Sequence, residues 1–195
     1  MQAKTSLLAL IFSTAIGFPT AASAASTTVT VTLASPTMTA RVLRNGVASD
    51  CSAAKAFPGT ITSTVGYAVS SALANTSSQP VCTLFTLTTS ASCGTNVFAT
   101  AYVGSFNPAN LAANYLGDAG GSSATSSFAA IVPANGSVVI ALSYTTPTPT
   151  EDCTMSISTQ PVLPPTVPAL DLRLLSLLGL LLAAMSCIRL QRAQR

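Results

Sequence analysis

Four cysteines are the most reactive side chains in the first 160 residues: Cys51, Cys82, Cys93 and Cys153. A structural metal site would need Cys-x2-Cys spacing or accompanying histidines, and the sequence has neither. We therefore predict two disulfides, for which three pairings exist. A fold-back over residues 89–92 favours Cys82–Cys93, which leaves Cys51–Cys153. A fifth cysteine, Cys187, lies in an apolar segment near the C-terminus.

Catalytic chemistry has few candidate residues in this chain. There is no histidine, so a serine or cysteine nucleophile activated by histidine is excluded. Glu151 and Asp152 are adjacent, and an extended chain directs neighbouring side chains to opposite sides, unlike the paired acids of a glycosidase. A Gly-rich phosphate-binding motif ending in Gly-Lys is also absent. We expect a protein that is not an enzyme.

The connection over residues 104–126 is the segment best suited to recognition, because it combines amides with aromatic rings. Its carboxylate, Asp118, is a candidate calcium ligand, and no other cofactor is predicted. The Asn-Pro and Gly-Asp pairs are also typical of turns, with Tyr115 and Leu116 anchoring the loop to the core. The structural interpretation is favoured. The two Asn-x-Ser/Thr motifs, at Asn75 and Asn135, are likewise interpreted first as turns.

The elements that must position these residues are strands. Charged residues make up 7% of the chain and hydrophobic ones 49%, which excludes a disordered protein. Apolar residues alternate with threonine and serine, as in half-buried strands. We predict strands over residues 27–33, 67–73, 81–88, 97–103, 127–132, 137–144 and 154–159, with 97–103 central. The segment 133–136 predicts a hairpin. The fold class is therefore all-β, an antiparallel β-sandwich of jelly-roll or CUB-like form, over residues 25–160.

Both ends of the chain carry targeting signals. Residues 1–24 have a basic start, an apolar stretch and the cleavage-site pattern Ala22-Ser23-Ala24, which predicts a signal peptide. Residues 161–170 form a Pro-rich linker, and residues 171–195 a short transmembrane helix with a basic tail. Three basic residues beyond the apolar run predict a cytoplasmic C-terminus: Arg189, Arg192 and Arg195.

The charge of the exported part differs from that of the whole chain. The formal net charge is +3, but the terminal segments contribute most of the cations. The exterior domain keeps three cations against four acids, a net charge of −1: Arg41, Arg44 and Lys55 against Asp50, Asp118, Glu151 and Asp152. Since nucleic-acid binding needs clustered cations, we exclude a nucleic-acid partner.

The C-terminal tetrad Val167, Pro168, Ala169 and Leu170, followed by the apolar run and the arginines, resembles the bacterial IPTL-CTERM sorting signal. That resemblance implies a membrane transpeptidase of the exosortase type as a partner, cutting near the tetrad. A plain single-pass anchor in the inner membrane is the alternative.

The exterior domain is similar to CUB-like or pre-peptidase C-terminal modules of bacterial surface proteins. The resemblance is carried by residues 101–110, 114–118 and 131–136, and by Cys153 at the start of the last strand. It implies an accessory, non-catalytic β-sandwich.

Taken together, these features predict an exported, non-catalytic cell-surface or extracellular protein. A structural or matrix component processed at the sorting signal is the favoured function. The alternative is a glycan-binding or adhesive module on a plain anchor, with surface polysaccharide as the partner.

Overall fold

The computed structural model describes residues 24–162. Residues 1–23 of the predicted signal peptide lie outside the described residues, and so do the sorting tetrad, Cys187 and the predicted C-terminal helix with its arginines. Within residues 24–162, no helix is long and apolar enough to cross a membrane.

The described residues form ten β-strands, and the predicted all-β class is confirmed. The strands are β1 (Ala25–Val31), β2 (Thr37–Val42), β3 (Thr60–Val69), β4 (Leu73–Ala74), β5 (Val81–Thr89), β6 (Val97–Val103), β7 (Tyr115–Asp118), β8 (Thr125–Val132), β9 (Ser137–Tyr144) and β10 (Cys153–Pro161).

These strands pair into two antiparallel sheets. The first sheet has the order β1-β10-β5-β8, and the second has β2-β3-β9-β6-β7, with the short β4 paired to β9. The last strand, β10, lies inside the first sheet between β1 and β5. Completion of this sheet therefore requires both ends of the domain.

The turn at residues 133–136 joins the two sheets and is not a hairpin, so that prediction was wrong. The tight turn itself is present: Gly136 N donates to Pro133 O at 3.1 Å, and Asn135 has a φ of 51°. However, β8 pairs with β5, while β9 pairs with β3, β4 and β6. Strands β8 and β9 each bury one face in the same core, and two strands can do so equally well when they lie in opposite sheets.

The hydrophobic core lies between the sheets and follows the alternation of the strands. In β10 every second residue is buried, from Cys153 through Thr159. Phe85 and Phe128 are directly opposite each other on β5 and β8, with stacked rings 4.9 Å apart. The second sheet contributes Ile140 and Leu142, both fully buried. Apolar burial on this scale is the main stabilising contribution.

Strand prediction was most accurate in the buried centre. The bounds of β6 and β9 match the predicted segments, and β6 is buried along six of its seven residues, as expected for a central strand. Two edge strands, β2 and β7, were missed. A register shift between Met38 and Ala40 interrupts the alternation of β2, and β7 has only four residues.

The two predicted disulfides are present, but the favoured pairing was wrong. Cys51 bonds to Cys82, and Cys93 bonds to Cys153. The segment after Cys82 does not fold back, because it is the straight strand β5. From Cys82 to the end of β5, seven residue steps at a strand's rise cover about 23 Å, so Cys82 and Cys93 lie at opposite ends of the sheet.

Candidate functional site

The segment over residues 45–50 runs alongside β7 and builds the most densely bonded polar site of the domain. Ser49 N donates to Asp118 O, and Asp118 N donates to Ser49 Oγ, both at 2.9 Å. Gly46 N donates to Gly120 O at 2.9 Å. These bonds fix the end of β7 and the chain that follows it against the loop.

Two glycines permit this close approach. A Cβ on Gly120 would lie 2.5 Å from the backbone of Val47, and Gly120 also has a φ of +75°. A Cβ on Gly117 would lie 2.4 Å from Ser49 Oγ. Larger residues at either position would push the loop away from β7.

Asp118 and Lys55 form a buried ion pair at this contact. Lys55 Nζ lies 2.7 Å from Asp118 Oδ1, with side-chain exposures of 9% for the lysine and 0% for the aspartate. Gly120 N also donates to Oδ1, at 2.6 Å, and the Tyr115 hydroxyl donates to Oδ2. Both carboxylate oxygens therefore accept hydrogen bonds from this chain, as a buried charge requires.

The lysine amine contacts two further oxygens from residues 45–47. Lys55 Nζ donates to the Val47 carbonyl and, at 3.2 Å, to Asn45 Oδ1. Asn45 Oδ1 also accepts the Val47 N–H at 3.1 Å. We call Asn45, Lys55, Tyr115 and Asp118 the Lys55 cluster. One amine therefore touches a carboxylate, a carboxamide and a backbone carbonyl.

Two aromatic rings, those of Phe57 and Tyr102, lie beside Tyr115 of the cluster. Phe57 packs edge-on against Tyr115 at 5.2 Å between ring centroids, and Tyr102 lies 6.1 Å from Tyr115. Burial raises the pKa of Tyr102 to about 12, and the nearby Asp118 charge adds to the shift. Burial also raises the pKa of Tyr115 far above its usual range, reinforced by its hydrogen bond to Asp118. Both phenols are therefore neutral at physiological pH, and the Tyr115 hydroxyl donates to Asp118.

No protein-family model, curated protein or solved structure is similar to this chain. The function must therefore be argued from the residues themselves.

Asp118 is the predicted calcium ligand, and its carboxylate already accepts hydrogen bonds from other groups of this chain. Calcium is bound by six to eight oxygens, several of them anionic. The polar groups on the Asp118 carboxylate are instead an ammonium, an amide N–H and a phenol, all of which donate. These hydrogen bonds make Asp118 a contact between the end of β7 and the loop that carries Lys55.

A second group of ligand-type atoms lies at the far end of the domain. Cys93, Glu151 and Cys153 bring their side-chain ligand atoms within 4.8 Å of one another. The two sulfurs are joined in a disulfide, so neither is a thiolate able to bind a metal.

The outer face of the first sheet is a regular array of hydroxyl groups, which we call the hydroxyl face. Strand register aligns two rows across all four strands, each made only of serine and threonine. The rows are Thr28, Ser156, Thr88 and Thr125, and Ser26, Ser158, Thr86 and Ser127. All but Thr86 are exposed. This face has neither charge nor aromatic rings along its two rows.

The two Asn-x-Ser/Thr motifs differ in the structure. Asn75 is 7% exposed, and its Nδ2 lies within hydrogen-bond distance of three carbonyls: Gln79, Val132 and Pro133. It is a structural residue, in agreement with the turn interpretation. Asn135 is exposed at the crossover turn.

Sequence reasoning missed Lys55 and Asn45 as site residues. One signal pointed to Lys55: it is one of only two lysines in the chain, and the other, Lys4, belongs to the predicted signal peptide. Nothing in the local sequence indicated that Lys55 meets Asp118, because 62 residues of intervening chain separate them.

Proposed function

We propose that this chain is a non-catalytic, exported structural protein of the bacterial cell surface, processed at its C-terminal sorting signal. The observation that carries the proposal is the pair of disulfides that close the sandwich. Disulfides persist in oxidising compartments outside the cytoplasm. Strand β1 begins at Ala25, directly after the predicted cleavage site, which fits a mature chain starting there.

The strand order supports a jelly-roll form of the sandwich. Chain segments alternate between the sheets at most connections, and the last strand returns beside the first. Jelly rolls are double-sheet folds with this kind of winding. The similarity to CUB-like modules stays a prediction.

The exterior carboxylates support a structural function. Each of the four accepts hydrogen bonds that organise a loop or join elements. Asp50 accepts from Ser52, Asp152 Oδ1 accepts from Leu33 N at 2.8 Å, and Glu151 Oε2 accepts from Ser92 Oγ at 3.2 Å. Asp118 is held in the Lys55 cluster.

The sorting proposal is tested by the size and location of the protein. An epitope tag between Pro147 and Thr148, in an exposed loop, leaves both termini and all strands intact. In fractionated cells, the wild type should be exported and shorter than the chain that retains its arginine tail. Pro168→Ala should be exported but accumulate uncleaved in the membrane.

Pro164→Ala is the matched control, because it changes a proline of the same linker outside the tetrad. It should be processed like the wild type. A wild-type chain that keeps its tail, or equal processing of both variants, would refute the sorting proposal and leave the plain anchor.

The hydroxyl face favours glycan binding as the second candidate function. Rows of uncharged hydroxyls can exchange hydrogen bonds with a neutral polysaccharide, although each bond contributes little net free energy. A glycan array should then show binding that Ser156→Lys abolishes and Asn110→Lys, on a loop away from this face, preserves. No binding by the wild type would refute this candidate.

A further inference from the structure

In the Lys55 cluster, the amine of Lys55 contacts both a carboxylate and a carboxamide. Lys55 Nζ lies 2.7 Å from the Asp118 carboxylate and 3.2 Å from the carboxamide oxygen of Asn45. An amine is a nucleophile, a carboxamide is an acyl donor, and a carboxylate beside the amine can carry a proton. These are the components of an amide exchange between two side chains.

We propose that Lys55 and Asn45 form an intramolecular isopeptide bond, with Asp118 as the proton carrier. The proposal assigns a self-modification site and does not rest on the proposed surface function. It needs no cofactor or external reagent.

The step balances within the three side chains. The Lys55 ammonium gives one proton to Asp118, and the neutral amine attacks Cγ of Asn45. The Cγ–Nδ2 bond of Asn45 then breaks as Asp118 returns a proton to the leaving nitrogen, which departs as ammonia. The attacking nitrogen gives its second proton to the released ammonia, which leaves the site as ammonium. The new Nζ–Cγ bond is then a neutral secondary amide, and Asp118 ends as the carboxylate it was.

The surroundings favour each part of this step. The Val47 N–H donates to Asn45 Oδ1 at 3.1 Å, and so polarises the carbonyl and stabilises the charge that develops on its oxygen. Gly120 N and the Tyr115 hydroxyl hold the Asp118 carboxylate in place. Asp118 Oδ1 lies 2.7 Å from Lys55 Nζ, which is within direct reach of the ammonium proton.

A competing reaction at the same residue is disfavoured by the backbone. In an Asn-Gly sequence, the glycine nitrogen can attack the asparagine Cγ, expel ammonia and form a succinimide. Here Gly46 N donates to Gly120 O at 2.9 Å, which holds it in the contact between the loop and β7. The lysine amine is therefore the better placed nucleophile.

The test is peptide mapping of the exported protein after reduction of its disulfides. Trypsin cleaves an unmodified chain after Arg44 and Lys55, releasing residues 45–55. With the isopeptide bond, the Lys55 amine is blocked. The tryptic peptide then runs on past Lys55 and is lighter by one ammonia. Further cleavage before Asp50 should leave its two fragments joined through Asn45 and Lys55.

Variants separate this reaction from its alternatives. Lys55→Arg removes the nucleophile, and Asn45→Ala removes the acyl donor at an exposed position; both should restore the full mass. Asp118→Asn should leave the Lys55 amine free, with circular dichroism reporting whether the sandwich still folds. Asn110→Ala, an exposed asparagine elsewhere, is the matched control and should keep the ammonia deficit.

Three results would overturn the proposal. A wild-type chain with a free Lys55 amine means that the cluster is only an ion pair. An ammonia deficit that persists in Lys55→Arg identifies the succinimide. Loss of water with Lys55 joined to Asp118 assigns the bond to a different acyl donor.

Discussion

The two disulfides should contribute unequally to stability, and their difference can be worked out from the structure. Cys93–Cys153 closes a separation of 60 residues, and Cys51–Cys82 one of 31. The chain-entropy relation gives about 4.3 and 3.7 kcal/mol for the two loops. Cys93 and Cys153 are also buried in the core, whereas Cys51 and Cys82 are half-buried.

Replacing each pair by alanine tests this difference. Truncation of the buried pair leaves a gap that costs about 1 kcal/mol or more beyond the loop entropy. Cys93→Ala/Cys153→Ala should therefore lower the free energy of unfolding by about 2 kcal/mol more than Cys51→Ala/Cys82→Ala does. Each double variant keeps the other disulfide and is the control for its counterpart.

The assay is equilibrium urea unfolding of the exterior domain under non-reducing conditions, followed by circular dichroism. Midpoint and slope are both needed, because removal of a cross-link also expands the unfolded state. Equal losses, or a larger loss for the Cys51–Cys82 pair, would refute the reasoning. Non-reducing peptide mapping that joined Cys82 to Cys93 would refute the pairing itself.

Three further predictions concern buried polar groups. Tyr144→Phe should destabilise the domain by about 1–3 kcal/mol in urea unfolding, because the Tyr144 hydroxyl lies 3.0 Å and 2.8 Å from two backbone carbonyls, which share its single proton and would lose it. In an ultraviolet titration, Tyr102 and Tyr115 should stay protonated well above the usual tyrosine pKa of about 10. Because the pKa values of both tyrosines are raised in the folded state, their contribution to stability is complete below pH ~10 and is lost as the pH rises towards those folded pKa values. Ionisation of both tyrosines near pH 10 without unfolding would contradict this prediction. Asn75→Asp should cost about 1–3 kcal/mol and leave the exported protein's glycan content unchanged, as judged by urea unfolding and mass spectrometry, because the buried Asn75 amide already serves backbone carbonyls.

Local alternation was enough to predict most of the strands, although it missed β2 and β7. In β10, the period of two between polar and apolar residues specifies which side faces the core, whatever strand lies beside it. The central position of β6 was also readable, because an uninterrupted apolar run can be buried on both faces. The presence of four cysteines in an exported domain was likewise enough to predict two disulfides.

Strand neighbours and the pairing of the cysteines depended on the tertiary structure. The turn at residues 133–136 has the same local chemistry in a hairpin as in a crossover, and only the competition among all strands for partners placed β8 and β9 in different sheets. That arrangement keeps β5 straight, which separates Cys82 from Cys93 and brings Cys93 to the start of β10.

The Lys55 cluster likewise depends partly on the sequence alone and partly on the tertiary structure. The sequence by itself placed Asp118 in the connection over residues 104–126 and showed that Lys55 is one of only two lysines in the chain. Only the fold decided that they meet, because Gly117 and Gly120 admit the loop against β7 and the burial of Asp118 then demands a cation beside it. Alternation acts between residues two apart in the chain, whereas an ion pair across 63 positions exists only after the sheets have closed around it.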